Sequence, residues 1–233
     1  MIPKIIWQTY ESEYDDLPQL AKDFSKTWIE KNPDWEYRYV SGKERREFVK
    51  DNFSKEWLGI YDSYKFDVMR SDLWRYLCVF KLGGLYVDLD TSCNIPIQDW
   101  LDINKSFIVS TESGSIDSAT QVIFAAEKEN NILKNILRLV KVEYNKHIEY
   151  KDKVEYIKNN VGYEVFTKGI LNYLNIANFL NSNSLDISVK NNFYCFFGSE
   201  SKLIHDKAIT HYHAGTTSIF GNNYKSWEKE EYR

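Results

Sequence analysis

The residues best equipped for chemistry are Asp88 and Asp90, in the run Leu85-Tyr86-Val87-Asp88-Leu89-Asp90. On an extended chain, side chains two apart point to the same side, so the spacing predicts two carboxylates aimed at one place. Two oxygen ligands so placed form half of a Mn²⁺ or Mg²⁺ site, and such ions commonly complete their shell with substrate phosphates. Upstream, Asp72 and Arg75 stand at i,i+3, neighbours on a helix surface. A carboxylate there can accept from ribose hydroxyls and a guanidinium can grip a phosphate. Taken alone, the pair reads more simply as a surface ion pair worth roughly 0.3–0.5 kcal/mol. Far downstream, His211 and His213 leave a short strand on one face. A lone histidine is usually structural, but two in a chain that already offers paired aspartates suit a Mn²⁺-type ion.

The elements that must position these groups follow from periodicity. Phe66, Met69, Leu73, Leu77 and Phe80 recur at helical spacing and predict a helix with this stripe on a core, Asp72 and Arg75 being turned away from it. Asp67 and Arg70 share that helix and are expected on its solvated face. Gly83 and Gly84 end the helix, because glycine takes the left-handed C-terminal position without a Cβ clash. Leu85 to Val87 then form a short buried strand. Ahead of this unit, Ile2, Ile5, Ile6 and Trp7 predict a first strand. Residues 8–16 should be the loop leaving its C-terminal end, where ligands gather in open α/β sheets.

Leu17, Leu20, Phe24, Trp28 and Ile29 make a helical stripe closed by Pro33, and Trp35 to Val40 alternates as a strand. Ser41 and Glu44 have capping-box spacing and open a helix over 42–52, with more helix around 57–61. Alternation of strand and helix implies an α/β sheet with right-handed crossovers. Further on, 107–109 and 121–126 read as strands. Asn130 begins a helix carrying Ile132, Leu133, Ile136, Leu137 and Val140, and 170–180 is another. Residues 112–118 are a polar loop, and 141–160 a charged, solvated helical excursion, with an acceptor-binding surface as the other reading. Short strands are expected at 185–189, 192–197 and just before His211.

With 233 residues, only four prolines and no linker or repeat, the chain predicts one domain over 1–233 with a large core. Its 17 tyrosines and 7 tryptophans suit a groove that stacks on rings, although they suit a core equally. A net charge of −4 with interspersed signs shows no basic stripe for nucleic acid. Three cysteines without metal spacing argue against a disulfide framework and fit a reducing cytoplasm. Met1 leads directly into a strand-like IPKIIWQTY, without a signal-peptide pattern. No apolar run is long enough to span a bilayer, so any membrane association would be peripheral, at the inner face.

Ser71-Asp72-Leu73-Trp74-Arg75-Tyr76 followed by Gly83-Gly84-Leu85-Tyr86-Val87-Asp88-Leu89-Asp90 resembles the DxD sugar-transfer region of a glycosyltransferase family. That family includes yeast initiating α-1,6-mannosyltransferases, bacterial capsular polysaccharide transferases and the glucosylating domains of clostridial toxins. Ile2-Pro3-Lys4-Ile5-Ile6-Trp7-Gln8-Thr9 and Asn32-Pro33-Asp34-Trp35-Glu36-Tyr37 resemble the family's first two nucleotide-binding strands. The resemblance fades after about residue 100 and returns near the C-terminus. It implies a GT-A-like fold, a Rossmann-like mixed central sheet flanked by helices. Residues 1–100 would bind the nucleotide-sugar and 101–233 would form the acceptor side.

By the same resemblance, Asp90 would ligate Mn²⁺ or Mg²⁺ with His211 as a second ligand, Asp88 and His213 being further candidates. Trp7 would stack on the base, with Gln8 beside it. Asp72, Arg75 and Asp88 would position ribose and phosphate, and Asp88, Asp90 and Arg75 would form the catalytic group. Ser226 and Trp227 would match a Ser-Trp pair that follows the family's histidine, although the longer gap after Gly215 makes 216–225 an insertion or a lid. Glu112 is a candidate contact to the donor sugar. Gly162 to Thr167 loosely matches a small-residue segment before an acceptor-side helix but lacks its proline, which puts Glu164 and Thr167 in doubt.

The expected reaction is transfer of a hexose from a UDP- or GDP-sugar to a glycan or polysaccharide acceptor, such as a capsular polysaccharide, with retention of anomeric configuration. Two other readings stand beside it. Asp88-Leu89-Asp90-Thr91 also fits the DxDxT of aspartate-nucleophile phosphatases, but that class normally carries it on its first strand. A protein of the same fold that binds nucleotide-sugars or glycans without turnover is the other.

Overall fold

The computed structural model describes residues 1–111, 117, 119–150, 152–180, 193–195 and 209–211. Its framework is a six-stranded mixed sheet. In chain order the strands are β1 (Ile5–Tyr10), β2 (Glu36–Ser41), β3 (Gly84–Val87), β4 (Thr91–Cys93), β5 (Phe107–Thr111), β6 (Ala119–Ala126), β7 (Phe193–Cys195) and β8 (Ile209–His211). The sheet order is β2-β1-β3-β6-β5-β7, while β4 and β8 form a separate two-stranded ribbon. Strand β1 is parallel to β2 and β3, β6 is antiparallel to β3 and β5, and β5 is parallel to β7. The helices are α1 (Gln19–Lys31), α2 (Gly42–Asn52), α3 (Lys55–Ser63), α4 (Asp67–Leu82), α5 (Asn131–Asn145), α6 (Lys153–Asn160) and α7 (Tyr163–Leu180).

Strand alternation divides the core into two layers. Ile6, Leu85 and Val87 pack with Trp28, Trp35 and Trp100, whereas Trp7 and Tyr86 pack with α4, α5 and α7 on the other side. Both sheet faces are thus covered, which is why short parallel strands survive here. The helix starts follow the sequence closely. Ser41 and Glu44 form the capping box of α2, and the Asn130 side chain accepts from the N–H groups of Ile132 and Leu133 at the head of α5. All five apolar residues expected along α5 are buried.

Several expectations need correction. Strand β1 runs on through Gln8, Thr9 and Tyr10, because β2 pairs with it as far as Tyr10↔Ser41, so the loop begins later. The stripe of α1 is Ala21, Phe24, Ser25 and Trp28, and Leu20 and Ile29 are exposed. A buried serine at position 25 shifts that face away from the apolar count. Glu164 and Thr167 lie within α7, where the Thr167 hydroxyl donates to the Ala119 carbonyl at 3.0 Å. The charged 141–160 stretch is not wholly solvated: Ile157 and Asn160 of α6 are buried. Of the late strands, Phe193–Cys195 and Ile209–His211 are seen, and 185–189 lies outside the described residues.

Candidate functional site

The sequence between α4 and β4 folds around a double-glycine corner. Gly83 has φ +68° and Gly84 φ +111°, both in the region that favours glycine. A Cβ on Gly84 would come within 2.7 Å of the Ile5 carbonyl and 2.8 Å of Trp7 Nε1, so β3 can lie against β1 only with glycine there. Trp7 Nε1 donates to the Gly83 carbonyl at 2.9 Å, tying the first strand to the corner.

Beyond β3 the chain does not stay extended, contrary to the alternation argument. The strand ends at Val87, and Thr91 closes a turn over 88–90 by donating its N–H (3.2 Å) and Oγ1 (2.6 Å) to the Asp88 carbonyl. Gln8 Nε2 donates to the same carbonyl at 3.0 Å. The amide of Gln8 is itself held, since its Oε1 accepts from Ser25 Oγ (2.9 Å) and Tyr37 OH (2.8 Å). Gln8 is therefore fully buried scaffolding beneath the turn. Helix α1 anchors the far side: Trp28 Nε1 donates to the Thr91 carbonyl at 3.0 Å, and Thr27 Oγ1 accepts from the Cys93 N–H at 2.8 Å.

The acidic residues sit on this scaffold. Asp90 is 8% exposed. The Asp88 side chain, 24% exposed, accepts at Oδ1 from Arg75 Nη1 (2.9 Å) and from Tyr86 OH (2.7 Å). Arg75 also forms an ion pair with Asp72 Oδ1 (3.0 Å), donates to the Gln121 carbonyl (3.2 Å), and lies 4.4 Å from the centre of the Tyr86 ring. Gln121 Nε2 donates to Asp72 Oδ1 at 2.9 Å. The result is a chain of charge, Asp72–Arg75–Asp88, leading to the turn that carries Asp90.

This overturns the surface-pair reading. Asp72 and Arg75 are 1% and 5% exposed, because α4 is buried on all sides from Asp72 to Val79. Helices α2, α3 and α5 and strands β3 and β6 all touch it. Burial pushes the Asp72 carboxyl up to about 6 although Arg75 pulls it down. Burial also works against the Arg75 charge, but Asp88, Tyr86 and Asp72 outweigh it and hold the guanidinium above its usual range. The Tyr86 phenol is pushed well up by burial, despite Arg75, and so remains a neutral donor to Asp88. Two atoms of the network, Asp72 Oδ2 and Arg75 Nε, are buried without a hydrogen-bond partner. Native interiors rarely leave such atoms unfilled without a purpose.

Trp7, expected on a base, is 3% exposed and meets Trp74 edge-on at 6.3 Å between ring centres. As placed it packs the core beneath the corner. Asp67 and Arg70 pair with each other, and Arg70 also donates to the Tyr64 carbonyl at 2.8 Å. Arg70 lines a groove of about 370 Å³ with Glu11, Gly42, Arg46 and Tyr61, at the C-terminal ends of β1 and β2. The register of the small ribbon sets Thr91 opposite His211. That pairing brings the backbone of a residue distant in sequence next to Asp90. His213, Glu112, Ser226 and Trp227 lie outside the described residues. Sequence reasoning missed Gln121 as a site residue; the only signal was one amide opening an otherwise apolar strand.

The α/β sheet presents a buried acid–arginine chain to the turn that carries Asp88 and Asp90, and known proteins match the segment that contains it. Residues 18–107 match the family described as the glycosyltransferase sugar-binding region containing a DXD motif, so the chain carries that region. Inositol phosphoceramide mannosyltransferase 3 of Schizosaccharomyces pombe is 31% identical over 150 residues, which are 64% of this chain and 40% of that protein. The chain thus spans less than half the length of that relative. Uncharacterized glycosyltransferase L373 of Acanthamoeba polyphaga mimivirus is 24% identical over 227 residues, 97% of this chain and 84% of its own. Among solved structures, PaToxG Glycosyltransferase superposes with a TM-score of 0.53 at 17% identity, covering 88% of this chain and 84% of that one. The fold is thereby GT-A-like.

Proposed function

We propose that the chain is a metal-dependent glycosyltransferase that moves a hexose from a UDP- or GDP-sugar to a glycan or polysaccharide acceptor, with retention of configuration. The observation that carries this reading is the buried Asp72–Arg75–Asp88 chain ending at the turn of Asp90, inside the region that matches a DXD family. The S. pombe relative is named a mannosyltransferase, so a mannosyl nucleotide is the first donor to test.

The donor set fits Mn²⁺ or Mg²⁺. Carboxylate oxygens suit such hard ions, Asp90 is nearly buried in a turn, and His211 is placed opposite its neighbour Thr91. Among the described residues no three His, Cys, Asp or Glu converge, which suits an ion that shares its shell with a diphosphate. Asp90 would hold the ion with His211, and Asp88 and His213 are further ligands in this reading. Charge building on the departing diphosphate is what a divalent ion neutralises as a Lewis acid.

The protein's own groups do the rest. Arg75 keeps Asp88 and the turn in place, and Asp72 Oδ2 is the buried acceptor that a ribose hydroxyl of the donor would fill. The nucleoside is assigned to the groove of about 370 Å³ at the ends of β1 and β2, in keeping with ligand position in open α/β sheets. Retention implies front-face attack, the acceptor hydroxyl passing its proton to the leaving phosphate oxygen. Residues 1–100 would bind the donor and 101–233 face the acceptor. The test is a panel of UDP- and GDP-sugars with Mn²⁺, scored for nucleotide release. Release from one donor is expected; binding without release points to a silent sugar-nucleotide binder, and neither binding nor release refutes the reading.

A further inference from the structure

From β6, Gln121 touches Asp72, Arg75 and Tyr76 of α4. Its main-chain carbonyl accepts from Arg75 Nη1 at 3.2 Å, its Nε2 donates to Asp72 Oδ1 at 2.9 Å, and its Oε1 accepts from Tyr76 OH. The orientation of the amide is dictated by chemistry: an ionised carboxylate can only accept, so the NH₂ must face Asp72. The Tyr76 hydroxyl, buried and also within 3.0 Å of the Val161 carbonyl, faces the other end. Burial pushes the Tyr76 phenol well up, so it stays a neutral donor.

The consequence falls on Asp72. Its Oδ1 takes a hydrogen bond from Gln121 and is ion-paired with Arg75 at 3.0 Å, while Oδ2 takes no hydrogen bond from the protein. A hydrogen bond and an ion pair on the same oxygen hold the carboxylate and leave Oδ2 to accept from a ligand. Arg75 alone could not do this, since a guanidinium can pair with both oxygens of a carboxylate.

We propose that Gln121 is a positioning residue for the donor, holding Asp72 with Oδ2 presented to a hydroxyl of the nucleotide-sugar. The assignment rests on the transferase reading given above, and it deepens that reading by adding a residue no motif contains. Gln121 would not touch the donor. Its loss should raise the donor KM more than it lowers kcat, because ground-state and transition-state contacts to that hydroxyl weaken together.

The test is donor hydrolysis with Mn²⁺ by the parent, Gln121→Leu and Gln121→Glu between pH 6 and 8, with folding checked by circular dichroism. Gln121→Leu should raise the donor KM about tenfold, the effect of one charged hydrogen bond, at every pH. Gln121→Glu opposes Asp72 with a second acid near Arg75, Asp88, Tyr76 and Tyr86. It should be at least as impaired at pH 8, and recover relative to the parent by roughly fivefold at pH 6, where the two acids can share a proton. A packing defect alone has no reason to reverse with pH. An unchanged KM in Gln121→Leu, or a Gln121→Glu to parent ratio flat with pH, overturns the assignment while the parent remains active. A parent that hydrolyses no donor sinks the transferase reading, and the assignment with it.

Discussion

Replacing Arg75 by methionine keeps an unbranched side chain in place and removes the buried cation, which makes it the sharpest probe of the network. The guanidinium contacts Asp72 at 3.0 Å, Asp88 at 2.9 Å and the Gln121 carbonyl at 3.2 Å, and sits over Tyr86. Breaking a buried ion pair from one side typically costs about 3–5 kcal/mol, because the partner charge is left uncompensated. Here the partner can escape by taking a proton. The Asp72 carboxyl lies at about 6 with Arg75 present, and losing Arg75, the main influence holding it down, must raise it further. A carboxyl whose folded pKa exceeds its unfolded value of 3.8 keeps its proton in the native state while the unfolded chain releases it. Stability is then present at low pH and lost as pH rises through the folded pKa.

In the parent this loss is complete a little above pH 6, whereas in Arg75→Met it continues upward. Each pH unit over which the native state holds one extra proton costs about 1.4 kcal/mol. The variant should therefore be less stable than the parent by about 3–5 kcal/mol at pH 7.5, and by about 2 kcal/mol less than that at pH 6. Urea denaturation followed by circular dichroism at the two pH values measures both. A deficit below about 1 kcal/mol at pH 7.5, or an equal deficit at both, would refute the buried-network argument.

The remaining expectations are simpler. In Asp72→Asn the stability lost by the parent between pH 4 and 7 should shrink by on the order of 3 kcal/mol, as a carboxyl moved from 3.8 to about 6 no longer titrates; parallel pH curves from urea titrations would contradict it. Gly84→Ala forces a Cβ to within 2.7 Å of the Ile5 carbonyl at φ +111°, which should cost at least 1–3 kcal/mol of strain, roughly, and lower Tm by several degrees; an unshifted thermal transition would show that the corner can open cheaply. Gln8→Leu strands the Tyr37 hydroxyl and removes one of the bonds to the Asp88 carbonyl, while Ser25 keeps the Ala21 carbonyl as its acceptor. An orphaned group costs about 1–3 kcal/mol, and nucleotide affinity should fall although Gln8 is buried out of ligand reach; calorimetry showing parental affinity would separate the turn from the scaffold.

What could be read from residues alone was whatever depends on local rules. The capping box at Ser41, the double glycine, the stripe of α5 and the succession of strands 1 to 3 and their helices along the chain follow from short-range sterics and periodicity, and the structure shows each of them. What escaped was set by neighbours distant in sequence. Asp72 and Arg75 look like a surface pair because nothing within α4 reveals that β6, β3 and the turn after it cover its polar face. The break in strand geometry after Val87 goes with Gln8 and Thr91 both donating to one carbonyl, a contact no alternation pattern encodes. Trp7 carries a motif's expectation of stacking, yet its indole N–H has a backbone partner that exists only once Gly83 turns. Gln121 was invisible for the same reason: its meaning lies wholly in what stands opposite it.

The most direct test of the central claim, that the Asp88–Asp90 turn binds the diphosphate through a divalent ion, is calorimetric titration of UDP and GDP into the parent and Asp90→Asn, with Mn²⁺ and with chelator. The account predicts that one nucleotide binds the parent only with Mn²⁺, and that Asp90→Asn loses this binding while unfolding normally. Equal affinity with and without the ion, or undiminished binding by Asp90→Asn, would contradict it.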